Sequence, residues 1–124
     1  MIIVDSCGWL EWFSDGVLAR KYQKYLENKN ELLVPTIVLY EVYKILKREE
    51  GDEKALLAFG HMKISEVIHF DENLALRAAD ISLLHNLAMA DAIVYAASLE
   101  NNCRLITSDG DLKSLPQVTF ISKT

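Results

Sequence analysis

The sequence predicts an α/β fold in which a parallel β-sheet carries helices on both faces. Short apolar runs alternate with longer stretches whose apolar residues recur at helical spacing. Strands separated by helices are joined by right-handed crossovers, which makes neighbouring strands parallel. The 124 residues, 51% hydrophobic and 25% charged, suffice for one buried core and are too few for two. We therefore expect a single domain over residues 1–124.

Met1–Val4 reads as a buried strand, and Ser6 is placed to cap a short helix carrying Trp9, Leu10, Trp12 and Phe13. That aromatic stripe reads as core, with a groove for a partner chain as the alternative. Asp15 is expected to open a second helix, in which Leu18, Tyr22, Tyr25 and Leu26 form one apolar face. Leu32–Val34 reads as a second strand stopped by Pro35. Thr36 then caps a helix over Ile37–Glu50 that ends at Gly51. A helix from Asp52 to about Lys63 follows, then a third strand over Glu66–Phe70. Asp71 caps a helix through His85, and a further helix covers Ala90–Glu100. Arg104–Thr107 and, after Pro116, Val118–Ile121 complete the strands.

Ile81–Ala90 is the longest stretch free of charge, far short of a membrane span. The apolar start at Ile2–Val4 is interrupted by Asp5 and Glu11, with no basic region before it. No signal peptide is expected, and the cytoplasm is the expected compartment. Cys7 and Cys103 form neither a disulfide framework nor a zinc spacing with His61, His69 or His85, and are expected to be free thiols. The net charge of −5 argues against a module that grips nucleic acid through phosphate contacts alone. It is compatible with a nuclease whose metal ions meet the phosphate, because part of the negative charge is then the metal site.

Ligand sites in such folds collect at the carboxyl ends of the strands. Asp5 directly follows the first strand, and Asp109 and Asp111 follow the fourth. Asp5 could serve only as a helix-end acid, but Ser6 already offers a cap, so a site role is favoured. Glu41 lies in Ile37-Val38-Leu39-Tyr40-Glu41-Val42-Tyr43, where a carboxylate is costly without compensation. A pair with Lys44 at i+3 contributes only a few tenths of a kcal/mol when exposed. Asp91 precedes a run of small and apolar residues, Ala92 to Ala97, that marks a buried helix with few other places for its acid. Thr107-Ser108-Asp109-Gly110-Asp111 is a polar turn in which either acid could be functional. Asp80, three residues after Arg77, reads as half of a surface ion pair. Lys44, Lys47 and Arg48 read as a solvated helix face, with steering of RNA as the alternative. Several carboxylates without histidine or thiolate select hard cations, Mg²⁺ or Mn²⁺, and suit phosphoryl chemistry.

In this order the residues resemble the PIN-domain ribonucleases, and specifically VapC-type toxins of toxin–antitoxin pairs. Ile2-Ile3-Val4-Asp5-Ser6 is similar to the family's first strand and acid, and Pro35-Thr36 through Glu41 to the helix bearing the second. Ala90-Asp91-Ala92 with Ala96-Ala97 resembles the helix bearing the third, and Leu105-Ile106-Thr107-Ser108-Asp109 the Thr-x-Asp motif of the fourth. The resemblance spans the whole chain. It implies a three-layer α/β/α sandwich with a central parallel sheet of about five strands, and Mg²⁺- or Mn²⁺-dependent RNA cleavage. It also implies a homodimer held inactive by a VapB-type antitoxin. Asp5 and Asp91 would be the main metal ligands, Glu41 and Asp109 would complete the pocket, and Ser6 and Thr107 would hydrogen-bond acids or water. Asp111 competes with Asp109 for the fourth role, and Cys7 and Gly8 depart from the apolar residues more usual there.

An aspartyl phosphatase would want a second Asp at position 7, which is Cys. A phospho-receiver domain would want a Lys ending a late strand, which is missing. The alternative from another class is a catalytically silent PIN-like domain that only binds partners.

Overall fold

The computed structural model describes residues 1–123. Its elements in chain order are β1 (Ile2–Val4), α1 (Ser6–Phe13), α2 (Ala19–Leu26), β2 (Leu32–Pro35), α3 (Thr36–Glu50), α4 (Asp52–Met62), β3 (Glu66–Ile68), α5 (Glu72–His85), α6 (Met89–Glu100), β4 (Arg104–Thr107) and β5 (Val118–Phe120). Short 3₁₀ turns at Lys29–Glu31 and Gly110–Leu112 precede β2 and β5. The five strands form one parallel sheet in the order β3-β2-β1-β4-β5. From β1 the chain walks to one edge through β2 and β3, then returns through α5 and α6 to β4 on the other side of β1. The strand order thus reverses between β1 and β4, where the ends of the two strands leave a crevice.

Packing follows from composition. Ile3, Leu32, Val34 and Leu105 are wholly buried, and each such side chain contributes about 1.5–3 kcal/mol relative to exposure. Helix α1 packs on α2 and α3, α3 also on α4 and α6, and α5 on α6. Helix α6 is buried from Ala92 to Ser98, so both its faces are covered, and its small residues Ala92, Ala96, Ala97 and Ser98 permit the close approach. Of the α1 aromatics Trp9 belongs to the core, while Trp12 and Phe13 are partly buried against it. Trp9 is buried, and its ring stacks on Phe13 at 5.8 Å with Trp12 tilted beside both. Among the described residues no single helix is long and apolar enough to cross a membrane.

Several local expectations are corrected. The cap of α1 is Asp5, whose carboxylate accepts from the Ser6 N–H, so Ser6 is the first helical residue. Asp15 opens no helix. It adopts φ 55° in a turn closed by Gly16 N–H to Glu11 C=O, and α2 begins only at Ala19. Thr36 does not cap α3. Its hydroxyl donates to Ile68 C=O at 3.0 Å and accepts from Phe70 N–H at 3.2 Å, tying α3 to the end of β3 while Pro35 takes the cap position. β3 and β5 stop at Ile68 and Phe120, shorter than their apolar runs. Arg77 and Asp80 are both exposed and form no ion pair; neither do Glu41 and Lys44. Lys47 and Arg48 are solvated and reach Asp52 and Glu49 at 3.4 and 3.1 Å.

Candidate metal centre

Hydrogen bonding between β1 and β4 continues one residue past β1, with Asp5 N–H donating to Ile106 C=O at 2.9 Å. This sets Asp5 beside Thr107. The Thr107 hydroxyl donates to Asp5 Oδ2 at 2.8 Å, and the Ser6 N–H donates to Oδ1 at 2.8 Å, so both carboxylate oxygens are held. The same hydroxyl accepts from Asp109 N–H at 3.0 Å, which orients the turn after β4. Asp109 in turn caps the 3₁₀ turn, accepting from Asp111 N–H at 2.9 Å. Of the two acids, Asp109 lies within reach of Asp5 and Asp91, and Asp111 is exposed on the turn.

Asp91 enters from the first turn of α6, where the helix N-terminus favours negative charge. Asp5, Asp91 and Asp109 can each present an oxygen within 4.8 Å of the others. Glu41 is not one of these three. It stands half-buried on the flank of the α3 face formed by Val38, Val42 and Leu46, where it feels the charges of Asp5 and Asp109. Ser6 is thus bonded to Asp5 through its backbone N–H, and its side chain favours the charged form of Glu41.

The electrostatics have one sign. Burial pushes the Asp5 carboxyl up from its ordinary value, against the bonds from Thr107 and Ser6, and Asp109 adds repulsion. Burial also raises Glu41, and the charge of Asp5 raises it further, opposed by Ser6 and by the attraction of Lys44. Asp91 is pushed up to about 7, first by burial, then by a proton shared with Asp109 and by the charges of Asp109, Asp5 and Asp111. Among the described residues, Lys44 is the side-chain cation that offsets Glu41, and no cation offsets Asp5 or Asp91 in this way. A cation among the three aspartates would relieve both the repulsion and the need for a shared proton. The residues fit a hard divalent ion: the ligand atoms are all carboxylate oxygen, close enough to share one ion, with neither thiolate nor imidazole among them.

Three residues beneath the turn escaped sequence reasoning. Cys7 Sγ accepts from Ser108 N–H at 3.4 Å and lies 3.8 Å from the Thr107 hydroxyl. The Tyr22 hydroxyl is 2.6 Å from Ser108 Oγ. Tyr22 read only as part of an apolar helix face, and its polar end gave no sequence signal. Gly8, the other departure after the first acid, is explained by the same contact, since a Cβ there would overlap the Tyr22 ring and Val4.

A parallel five-stranded sheet with an acid triad at the point where its strand order reverses defines a class, and the comparisons agree on which one. A family model for the PIN domain matches residues 2–118, and the chain belongs to that family. Among solved structures it is similar to VapC20 of Mycobacterium tuberculosis, a Sarcin-Ricin loop cleaving toxin, with a TM-score of 0.81 and 20% identity over 95% of this chain and 97% of that one. A toxin–antitoxin complex from Klebsiella pneumoniae gives a TM-score of 0.79 and 21% identity over 96% of both chains. DNA-bound VapBC from Salmonella typhimurium gives 0.77 and 13%, over 99% and 98%. At these identities the likeness is one of fold. Comparison with curated protein sequences finds no match.

Proposed function

We propose that this chain is a Mg²⁺- or Mn²⁺-dependent endoribonuclease, acting as the toxin of a VapBC-type toxin–antitoxin pair. The observation that carries this is the convergence of Asp5, Asp91 and Asp109 at the crevice between β1 and β4, with Asp91 pushed up to about 7. Asp5, Asp91 and Asp109 would hold the ion. When bound, it supplies the Lewis-acid charge that activates water and offsets the negative charge of the scissile phosphate. Thr107 and Ser6 keep Asp5 from turning away, and Thr107 sets the position of Asp109. Glu41 stands outside the triad with its carboxyl raised, placed to take up the proton that the attacking water gives up. The water oxygen bonds to phosphorus, the bond to the 3′ oxygen breaks, and that oxygen takes a proton from solvent to leave as the 3′-hydroxyl.

The fold of the toxin–antitoxin relatives supports a VapB-type antitoxin as partner, and we extend the proposal to a cytoplasmic homodimer of single-domain chains. The test is purified, antitoxin-free protein on total RNA with and without Mg²⁺ or Mn²⁺. Products with 5′-phosphate and 3′-hydroxyl ends, formed only with the ion, are expected. Cyclic-phosphate ends, or full activity in excess EDTA, would overturn the mechanism. Stabilisation by the ion without any cleavage would mark a silent partner-binding domain instead.

A further inference from the structure

Beside the turn after β4, with Cys7 and Ser108 in its lining, lies a cavity of about 450 Å³. Its polar lining is Glu11 and Ser14 of the α1 end, Ser108 of the turn after β4, and Lys123; Leu10 and Leu18 supply apolar wall. Ser108 joins this cavity directly to the site, because it is the middle residue of Thr107-Ser108-Asp109. The volume accommodates a nucleobase, which occupies on the order of a hundred or so Å³ and leaves room for its sugar.

The charged groups of this cavity are not used by the protein itself. Glu11 makes no side-chain hydrogen bond or ion pair among the described residues, and neither does Lys123. Yet Glu11 is not loose. Its carboxylate rests on Gly16, at the place a Cβ would fill, and the Gly16 N–H is bonded to Glu11 C=O at 2.8 Å. A glycine at 16 is what lets the carboxylate occupy that position.

We propose that this cavity is a base-reading pocket that selects guanine in the nucleotide beside the scissile phosphate. The proposal rests on the ribonuclease function above and names what that site would read. Single-stranded RNA is read by splaying a base out and bonding its Watson–Crick edge. Guanine alone offers, on that edge, two adjacent N–H donors next to a carbonyl acceptor. A fixed carboxylate accepts both donors, and an ammonium donates to the carbonyl. Glu11 and Lys123 supply that pair, and Leu10 and Leu18 give the base faces an apolar surface. Adenine, cytosine and uracil each leave Glu11 with a missing donor or a facing acceptor, and an unpaired group in such a pocket is penalised.

The test uses Glu11→Gln, nearly identical in shape, and Lys123→Met beside the parent protein. Cleavage sites are mapped by sequencing on a randomised single-stranded RNA in Mg²⁺, and binding of guanosine 5′-monophosphate and adenosine 5′-monophosphate is followed by NMR. We expect the parent to prefer guanosine at one position flanking the cut and to bind the guanosine nucleotide more tightly. In Glu11→Gln the guanosine preference should fall by about tenfold to a hundredfold, the range for a lost bidentate base contact. Lys123→Met should lower it by less. Cleavage with a base profile unchanged by Glu11→Gln overturns the pocket and leaves the ribonuclease reading standing. Glu11-dependent binding of the guanosine nucleotide without RNA cleavage upholds the pocket and removes the ribonuclease reading. Absence of both cleavage and nucleotide binding in the folded parent removes both.

Discussion

Thr107 and Asp91 show how single side chains define the centre. The Thr107 hydroxyl spends its proton on Asp5 and a lone pair on Asp109 N–H, so one atom fixes two acids from two strand ends. Thr107→Val keeps the shape and removes both bonds. We expect Mn²⁺ affinity, measured by calorimetry, to drop about tenfold to a hundredfold, as for other groups that orient ligands; unchanged affinity would show that Asp5 is held by other means. Asp91 carries the opposite kind of information. Lifting its carboxyl from the usual 3.8 to about 7 corresponds to about 4 kcal/mol if fully felt, and roughly 1–2 after allowing for its part exposure. The helix N-terminus returns about 0.3–1 kcal/mol, so repulsion and burial win. The folded pKa lies above the unfolded one. The penalty from Asp91 in the ion-free protein is therefore absent below about pH 4, grows as pH rises to about 7, and is constant beyond. Asp91→Asn should raise the melting temperature in EDTA by a few degrees at pH 7.5, with no gain near pH 4, and should lose most of the stabilisation by Mn²⁺. A variant that melts below the parent in EDTA, with an unchanged response to Mn²⁺, would show Asp91 to be structural.

At the scale of elements, the site depends on helices that start where strands stop. α1 begins at the end of β1, and its cap is the catalytic candidate Asp5 itself, so one carboxylate serves helix and site together. α6 brings Asp91 in because it is buried along its length and cannot rotate its first turn away. α1 and α2 are joined by the Tyr22 ring lying over Gly8, which carries the Tyr22 hydroxyl to Ser108 beneath the Thr107-Ser108-Asp109 turn. Gly8→Ala forces a methyl into that ring and Val4. We expect a loss of about 1–3 kcal/mol in urea unfolding, the cost of overpacking a close contact. Neutral behaviour would mean that α2 can slide without disturbing the turn.

For the whole molecule, the order β3-β2-β1-β4-β5 decides which loops meet. Parallel pairing of Ile2 with Arg104 and Val4 with Ile106 puts Cys7 beyond the carboxyl end of β1 and Cys103 before the amino end of β4. They lie at opposite ends of the sheet, beyond disulfide reach, and both are free. Alkylation followed by mass spectrometry of the unfolded protein should find both thiols modified even after mild oxidation. An intramolecular bridge would contradict the strand pairing.

Strand and helix identity were legible in the sequence because periodicity and burial are local statements: Ile2–Val4, Leu32–Val34 and Arg104–Thr107 stand where their apolar runs put them. The candidate acids were picked out for the same reason, since Glu41 and Asp91 sit among residues that otherwise belong to a core. What was not legible were contacts between segments far apart in the chain. Thr36 turned from cap to tie because its partner, Ile68, is supplied by another strand. Asp15 opened no helix because closure of the turn onto Glu11 C=O held it at φ 55°. Asp109 separated from Asp111 only through the Thr107 hydroxyl and the proximity of Asp91. The sequence by itself determined the elements and the list of candidate acids; tertiary structure decided which of them lie within 4.8 Å, because like charges are brought that close only when burial of the surrounding core outweighs their repulsion.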